Sequence, residues 1–430
     1  MSFGLRITCT RSTRRGMYHM MRIAPNVLFT PWGNGNGHLM RMIVLARHAE
    51  SQGASTTIAV ADEGEEKLVQ QNGISTYRYT HRFIDVDPWM AWADASFVAH
   101  AIGSDRLMIR NTSPDIVVSD SRLSMHMAAA MERVPVTAVV QDMDFPGYCY
   151  PGRPREQLWA QVEVALKSVF TTHKWVYEYA DPRELMQNAG VIVPGIPELE
   201  EIPRVVNSEA VFVGPLTGHY QRSRASPTLH QDGTILFYRI VSVDTIDEFI
   251  RAFNDILNRA VVATGDPRVT ETLAPKLRGT GARVLTLWNT SEEGGASPSC
   301  AIIHGGHGTL LHMAQAGVPT IVVPDLSPER YANALKAEML PSMTAVTSGL
   351  HPVDLTWNSQ GNQIRVVRHD AVRRALDAFD LTAARSAASA LARRLQRYTI
   401  GQAWRAIVAE SRVPTLHSDS FRSNGDVPDS

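Results

Sequence analysis

The stretch Ser299-Cys-Ala-Ile-Ile-His304-Gly-Gly-His307-Gly308-Thr309-Leu-Leu-His312, running on to Gly317-Val-Pro319, constrains the fold more than any other part of the chain. Its pattern is a short apolar strand, a glycine-rich turn, a helix of about two turns and a glycine stop. Glycines in the turn let backbone N–H groups approach a ligand, and the helix that follows points its positive end at the same place, which suits a phosphate. Neither Gly-x-x-x-x-Gly-Lys-Ser/Thr nor Gly-x-Gly-x-x-Gly is present there, so this is a phosphate turn of another kind.

Read in order, the chain alternates strands with helices. Asn26 to Thr30 is an apolar strand, followed by the glycine-rich Gly33 to His38 and by apolar residues at helical spacing up to Gly53; Thr56 to Val60 is strand again. A helix is expected from Glu65 to Asn72, a strand from Asp115 to Ser119 ending at Asp120, a helix from Met125 to Arg133 and a strand from Val136 to Val140. His81 to Ile109 has no clean period and is taken as a loop-and-helix insertion, and Gln141 to Gly152 as an irregular segment beyond a strand end. After Ala210 to Leu216 the pattern restarts, with strands expected at 234–240, 260–263, 284–287 and 320–323 and helices at 246–257, 331–338, 371–397 and 402–410. Such alternation with short connections predicts parallel sheets covered on both faces, with ligands at the carboxyl ends of the strands. The expected division is an extension over 1–25, a first Rossmann-like domain over 26–216, a linker over 217–231, a second such domain over 232–398, a helix within 399–412 and a disordered tail over 413–430.

Composition narrows the partners. A net charge of −1 over 430 residues offers nothing that draws the whole chain to nucleic acid or an anionic membrane, and no apolar run is long enough to span a bilayer. Three widely separated cysteines give no disulfide framework or thiolate metal site, so the cytoplasm is the expected compartment and small molecules the expected ligands. The basic opening residues suit either an organelle transit peptide or a loose extension with a later start.

His38, at the start of a helix after a glycine-rich turn, is placed either to cap the loop or to take a proton from a hydroxyl nucleophile; Asp120, ending a neighbouring strand, is the candidate carboxylate to orient it. His304 either braces the turn or donates to a phosphate oxygen, and Thr309 is a candidate N-cap whose hydroxyl reaches the same phosphate. A metal on His304, His307 and His312 is disfavoured, because they span a turn and a helix with no acid between them. Trp288 is either core or a stacking platform for a nucleobase, and Glu329 with Arg330 either starts a helix or binds sugar hydroxyls. Trp89, Trp92, Asp142 and Asp144, on segments expected to line a cleft, are candidate acceptor contacts; with Asp85 and Asp87, the aspartates would suit a cationic acceptor.

His304-Gly-Gly-His-Gly-Thr309, Ala316-Gly-Val-Pro319, Pro324 and Glu329-Arg330-x-x-Asn333-Ala334 together resemble the donor-site motif of family 1 glycosyltransferases, the UDP-glycosyltransferase superfamily, in their bacterial natural-product form. Gly37-His38 resembles that family's amino-terminal motif, Pro114 to Asp120 its strand ending in an aspartate, and Phe212-Val-Gly-Pro-Leu216 its interdomain strand. The resemblance implies a GT-B fold of class α/β: two Rossmann-like domains facing across an interdomain cleft, with a final helix crossing back to the first. It implies an inverting, metal-independent glycosyltransferase of hexosyltransferase type, without a cofactor, moving a sugar from a UDP- or dTDP-sugar to a hydroxyl or amine of a small-molecule acceptor in antibiotic or other secondary-metabolite biosynthesis. A homodimer is compatible with it. His38 and Asp120 would be catalytic; Trp288, His304, Gly305, Gly306, Gly308, Thr309, His312, Glu329, Arg330, Asn333 and Ser242 would bind the donor.

This chain also departs from the family pattern. His312 stands where a ribose-binding glutamate is usual, Arg330 where glutamine is usual, adding a fixed charge near the sugar, and Phe237 to Ser242 lacks the usual strand-end glycine. A sugar-nucleotide epimerase and a non-catalytic partner that keeps the fold are the competing expectations.

Overall fold

The computed structural model describes residues 24–32, 36–79, 91–148, 156–175, 177–187, 190–200, 202, 210–216, 233–286, 298–347, 350 and 368–410. The expected extension up to residue 23, the linker 217–231, the tail from 413 and residues Asp85, Asp87, Trp89 and Trp288 lie outside them.

Apolar, β-branched segments build two parallel sheets. The first half runs β1 (Asn26–Thr30), α1 (Asn36–Ser51), β2 (Ser55–Val60), α2 (Glu63–Gln71), β3 (Ser75–Arg78), α3 (Ala95–Thr112), β4 (Ile116–Asp120), α4 (Leu123–Glu132), β5 (Val136–Val139), α5 (Glu156–Thr172), α6 (Glu184–Gln187), β6 (Gly190–Val193) and β7 (Val211–Phe212). Its sheet has seven strands in the order β3-β2-β1-β4-β5-β6-β7. The second half runs β8 (Ile235–Tyr238), α7 (Ile246–Phe253), β9 (Ala260–Ala263), α8 (Pro267–Leu277), β10 (Arg283–Leu285), β11 (Cys300–Ile303), α9 (His307–Ala316), β12 (Thr320–Val322), α10 (Pro328–Glu338), β13 (Met343–Ala345), α11 (His369–Ala378), α12 (Leu381–Leu395) and α13 (Ile400–Glu410). Six strands form its sheet in the order β10-β9-β8-β11-β12-β13. The fold is therefore α/β with two parallel sheets, each covered by helices.

In both sheets the order reverses beside the first strand, between β1 and β4 and between β8 and β11. Helices leaving opposite faces at such a point part to leave a crevice at the carboxyl ends of the strands. Register brings Thr30 level with Ser119, and Tyr238 level with Ile303, so His38 and Asp120 flank one crevice and Arg239 and His304 the other.

The halves are tied at two adjacent places. Beyond β6, Ile196 and Leu199 are buried in the core of the second sheet, while Ala403 and Ile407 of α13 are buried in the core of the first. Gly214 lies between them in the left-handed region, φ +70°, and a Cβ there would fall 2.7 Å from Tyr398 Cβ, so that only glycine lets the crossings pass this closely.

Several elements escape the sequence pattern. Helices α5, α6 and α8 and strands β3, β6 and β13 are absent from the expected series; α3 fills much of the stretch taken as a loop-and-helix insertion and runs on to Thr112. Its polar Ser104, Asp105 and Arg106 blur the helical period, and Asp105 has a structural reason to be there. It is fully buried, receives Arg122 Nη2 at 2.6 Å and Nε at 3.2 Å, and accepts from Ser124 Oγ at 2.5 Å, while Arg122 Nη1 reaches Pro31 O at 3.4 Å. This ion pair holds the turn after β4 against α3 and the end of β1. Removing one partner leaves the other charge buried and alone, so Asp105→Ala should cost about 3–5 kcal/mol of stability in urea unfolding, and a loss below about 1 kcal/mol would contradict that role.

Candidate functional site

At the first crevice, His38 Nδ1 lies 3.0 Å from Asp120 Oδ1. Arg41, one turn further along α1, donates from Nε to Asp120 Oδ2 and from Nη2 to Oδ1, both at 3.0 Å, and its Nη2 also lies 2.8 Å from His38 Nδ1. Sequence reasoning missed Arg41, although its spacing of three from His38 puts both side chains on one helix face. A guanidinium only donates, so its contact with Nδ1 and the contact of Nδ1 with Asp120 select opposite imidazole tautomers. Burial opposes ionisation of Asp120, but Arg41 and His38 together outweigh it and bring its pKa down to about 2. Gln141, with its amide oxygen turned to the guanidinium, accepts from Arg41 Nη1 at 2.9 Å and Nη2 at 3.2 Å.

The cluster extends behind Asp120. Ser121, φ +54°, is a non-glycine residue in the left-handed region; its Oγ donates to Asp144 Oδ2 at 2.8 Å and lies 3.4 Å from Asp120 Oδ1. Asp144 Oδ2 also accepts from Gln141 N at 2.9 Å, whereas the buried Asp144 Oδ1 has no hydrogen-bond partner among the described residues.

At the second crevice the turn after β11 is narrow. Gly305 has φ +84°, and a Cβ on it would lie 3.0 Å from the backbone oxygen of Arg330, a position that only glycine fills without displacing α10. Asn333 Nδ2 donates to Gly305 O at 3.1 Å, and His304 folds back over Gly306, its Nε2 2.7 Å from where a Cβ would be. The helix begins earlier than its sequence suggests: Gly306 is the N-cap, so Thr309 is the third residue of α9 rather than its cap. No side chain caps this end and no acid lies in its first turn, while Gly308 is exposed and Thr309 and His312 are half-buried. Arg239, just beyond β8, has its backbone in the left-handed region, φ +59°. Ser242 follows it and shares a hydrogen bond of 2.9 Å with Thr245 Oγ1.

Charged groups bridge the two crevices. His307 Nε2 lies 2.5 Å from Glu200 Oε1, Glu200 Oε2 accepts from Asp142 N at 3.1 Å, and Lys336 Nζ of α10 reaches Asp142 Oδ2 at 2.6 Å. Burial pushes Asp142 up most, to about 6, with the Glu200 charge adding to it and Lys336 and His307 opposing. Burial would also raise Glu200, but His307 and Lys336 outweigh it and hold its pKa low.

Other candidates fall as follows. Asp142 is engaged with Lys336 and Asp144 with Ser121, both almost fully buried, so neither carboxylate forms an open wall for a cationic acceptor. Trp92 is fully buried against Trp32 and Phe97 and is a core residue here, not an acceptor contact. Glu329 and Arg330 are half-buried at the start of α10, with Arg330 Nη1 on Asp325 Oδ2, so the extra charge of Arg330 is balanced within the protein. Glu200 and Lys336 had no motif to mark them, and His307 stands inside the His304–Thr309 turn motif, which assigns it no partner. Among the described residues no helix is long and apolar enough to cross a membrane.

This architecture is that of GT-B glycosyltransferases. The chain is similar in structure to CalG4, the calicheamicin glycosyltransferase, at a TM-score of 0.63 and 18% identity over 90% of this chain and 98% of that one. It is similar also to the glycosyltransferase SnogD from Streptomyces nogalater, at 0.58 and 18% identity over 90% and 99%. A third similar structure is SsfS6 of Streptomyces sp. SF2575, solved with thymidine diphosphate, at 0.57 and 16% identity over 90% and 99%. No sequence-family model matches the chain, and no curated protein matches it by sequence.

The buried acid behind the cluster has a measurable consequence. Burial pushes Asp144 up to about 6, against hydrogen bonds from Gln141 and Ser121. A raised acid stabilises the fold below its unfolded value of about 4, and that contribution is lost as pH rises through the folded value. Asp144→Asn should therefore be more stable than the parent at about pH 8, by at most about 3 kcal/mol, with the difference vanishing towards about pH 4. Thermal melts across that range check it; a difference that does not change with pH would contradict it.

Proposed function

We propose that this protein is an inverting, metal-independent glycosyltransferase that moves a sugar from a UDP- or dTDP-sugar to a hydroxyl or amine of a small-molecule acceptor, in the cytoplasm and within secondary-metabolite biosynthesis. One observation carries the reading: an imidazole 3.0 Å from a buried carboxylate at one switch point is bridged by Lys336–Asp142 and His307–Glu200 to an uncapped, glycine-lined helix N-terminus at the other. The likeness to CalG4, SnogD and SsfS6 supports it, and the thymidine diphosphate in SsfS6 favours a dTDP- or UDP-linked donor.

In this mechanism His38 carries its proton on Nδ1, donated to Asp120, which leaves the Nε2 lone pair to take the acceptor proton. The acceptor oxygen or nitrogen attacks the anomeric carbon as the bond to the diphosphate breaks, and one displacement inverts the centre. Negative charge growing on the leaving diphosphate is met by the N–H groups at the start of α9, by the Thr309 hydroxyl and by His304, all fixed before reaction. Asn333 and Gly305 hold that turn in shape, Glu329 and Arg330 face the sugar, and Ser242, His312 and Trp288 complete the nucleotide side. Arg41 keeps Asp120 ionised, so the carboxylate is ready to receive the imidazolium that forms.

Incubation with UDP- and dTDP-sugars, with and without a panel of hydroxyl and amine acceptors, should give acceptor-dependent nucleotide release. Interconversion of the donor alone would overturn the reading in favour of an epimerase. His38→Ala should lower transfer about 10²–10⁴-fold, with nucleotide affinity by calorimetry changed less than about twofold. Full activity in that variant would remove His38 as the base.

A further inference from the structure

We infer that Asp144 is a positioning residue of the proposed transfer reaction, acting on His38 through the Ser121 hydroxyl and Asp120. The inference rests on the transferase reading for its meaning in catalysis, but the hydrogen-bond relay stands on its own geometry. Ser121 has one hydroxyl proton and two carboxylates within reach, Asp144 Oδ2 at 2.8 Å and Asp120 Oδ1 at 3.4 Å, and the latter is the oxygen that faces His38 Nδ1 at 3.0 Å. While Asp144 is ionised its Oδ2 accepts the hydrogen bond of that hydroxyl, and Asp120 Oδ1 is left to Arg41 and the imidazole. Once Asp144 is protonated, its own O–H can donate to Ser121 Oγ, and the serine proton turns to Asp120 Oδ1. A hydrogen bond from the serine to that oxygen draws charge from the contact with His38 and weakens the carboxylate as a partner for the imidazolium.

Three observations on this segment converge. The backbone of Ser121 is held in the left-handed region, φ +54°, which an L-residue adopts only when its surroundings over-determine it, and it places Oγ between the two carboxylates. Asp144 is 1% exposed, and its Oδ1 lacks a partner among the described residues, so the ionised form is held by hydrogen bonds at Oδ2 alone, the oxygen that faces Ser121 Oγ. Burial raises this carboxyl to about 6, with the Asp120 charge adding to the rise and His38 opposing it. The charged groups around it are Asp120 at the end of β4, and His38 and Arg41 of α1, the last reached through Gln141; Arg183 is turned to the backbone oxygens of Met143 and Tyr148, and Gln187 of α6 touches only the Asp144 carbonyl.

Two measurements test the relay on the full chain. In NMR titration of the imidazole nitrogens, assigned with a His38→Gln variant, the His38 signals should show an inflection near the Asp144 ionisation that is missing in both Asp144→Asn and Ser121→Ala. Coincident curves for parent and Asp144→Asn would overturn the inference, whether or not the protein transfers sugar. In turnover, kcat of the parent should exceed that of Asp144→Asn by about tenfold at about pH 8 and converge with it below about pH 5, with KM values unchanged. A constant ratio, a change confined to KM, or a further loss when Asp144→Asn is added to Ser121→Ala would equally overturn it. A merely structural role for Asp144 would leave the ratio flat across pH.

Discussion

Glu200 is the carboxylate on which the arrangement of the two sheets depends. It leaves the first sheet beyond β6, lies almost wholly out of solvent, and accepts from both His307 at the head of α9 and the backbone of Asp142 beyond β5. A buried carboxylate is tolerable only if its lone pairs are occupied by donors that stay in place. Here the donors come from opposite halves of the molecule. The requirement that solvates Glu200 is thus the requirement that brings the two crevices together, and Lys336 adds a second charge-assisted contact across the same boundary. Separating the halves would break the His307–Glu200 and Lys336–Asp142 pairs at once.

Within each half the chemistry follows from topology. A parallel sheet that reverses its order opens a crevice where two helices diverge, and Asp120, Arg239 and His304 sit at or just beyond the ends of the strands flanking that reversal, with His38 in the first turn of the helix that follows β1. The first crevice sets an imidazole against a carboxylate and a guanidinium; the second holds an uncapped helix end. In the transfer proposed above the two belong together, because proton removal from a nucleophile and stabilisation of a leaving group are the two ends of one displacement.

Much of this is legible in the sequence, for identifiable reasons. Strands such as Val27 to Phe29 and Ala301 to Ile303 are buried on both faces and appear as uninterrupted apolar runs, and the turn from His304 to Gly308 carries its geometry in its glycines. The bounds of a helix such as α3 are hidden because buried polar residues interrupt its periodicity: Asp105 looks like a surface residue until Arg122, 17 positions away, is seen beside it. The same holds at the site. His38 and Asp120 lie in recognisable local settings, whereas Glu200 and His307 are 107 positions apart and become partners only through the packing of two domains. Asp142 and Asp144, on an irregular segment expected to line a cleft, both turn inward to partners that no local pattern reveals. Trp92 likewise goes to the core, where an aromatic of its size has most to gain.

The close passage at Gly214 and Tyr398 sets how tightly the two halves can sit together. The segment from Leu395 to α13 crosses from the second half to the first, and it touches the chain beyond β7 where the absence of a side chain at Gly214 lets it. A bulkier residue at Gly214 would press on Tyr398 and on the start of α13, and so would be felt where the halves meet rather than only where it was introduced.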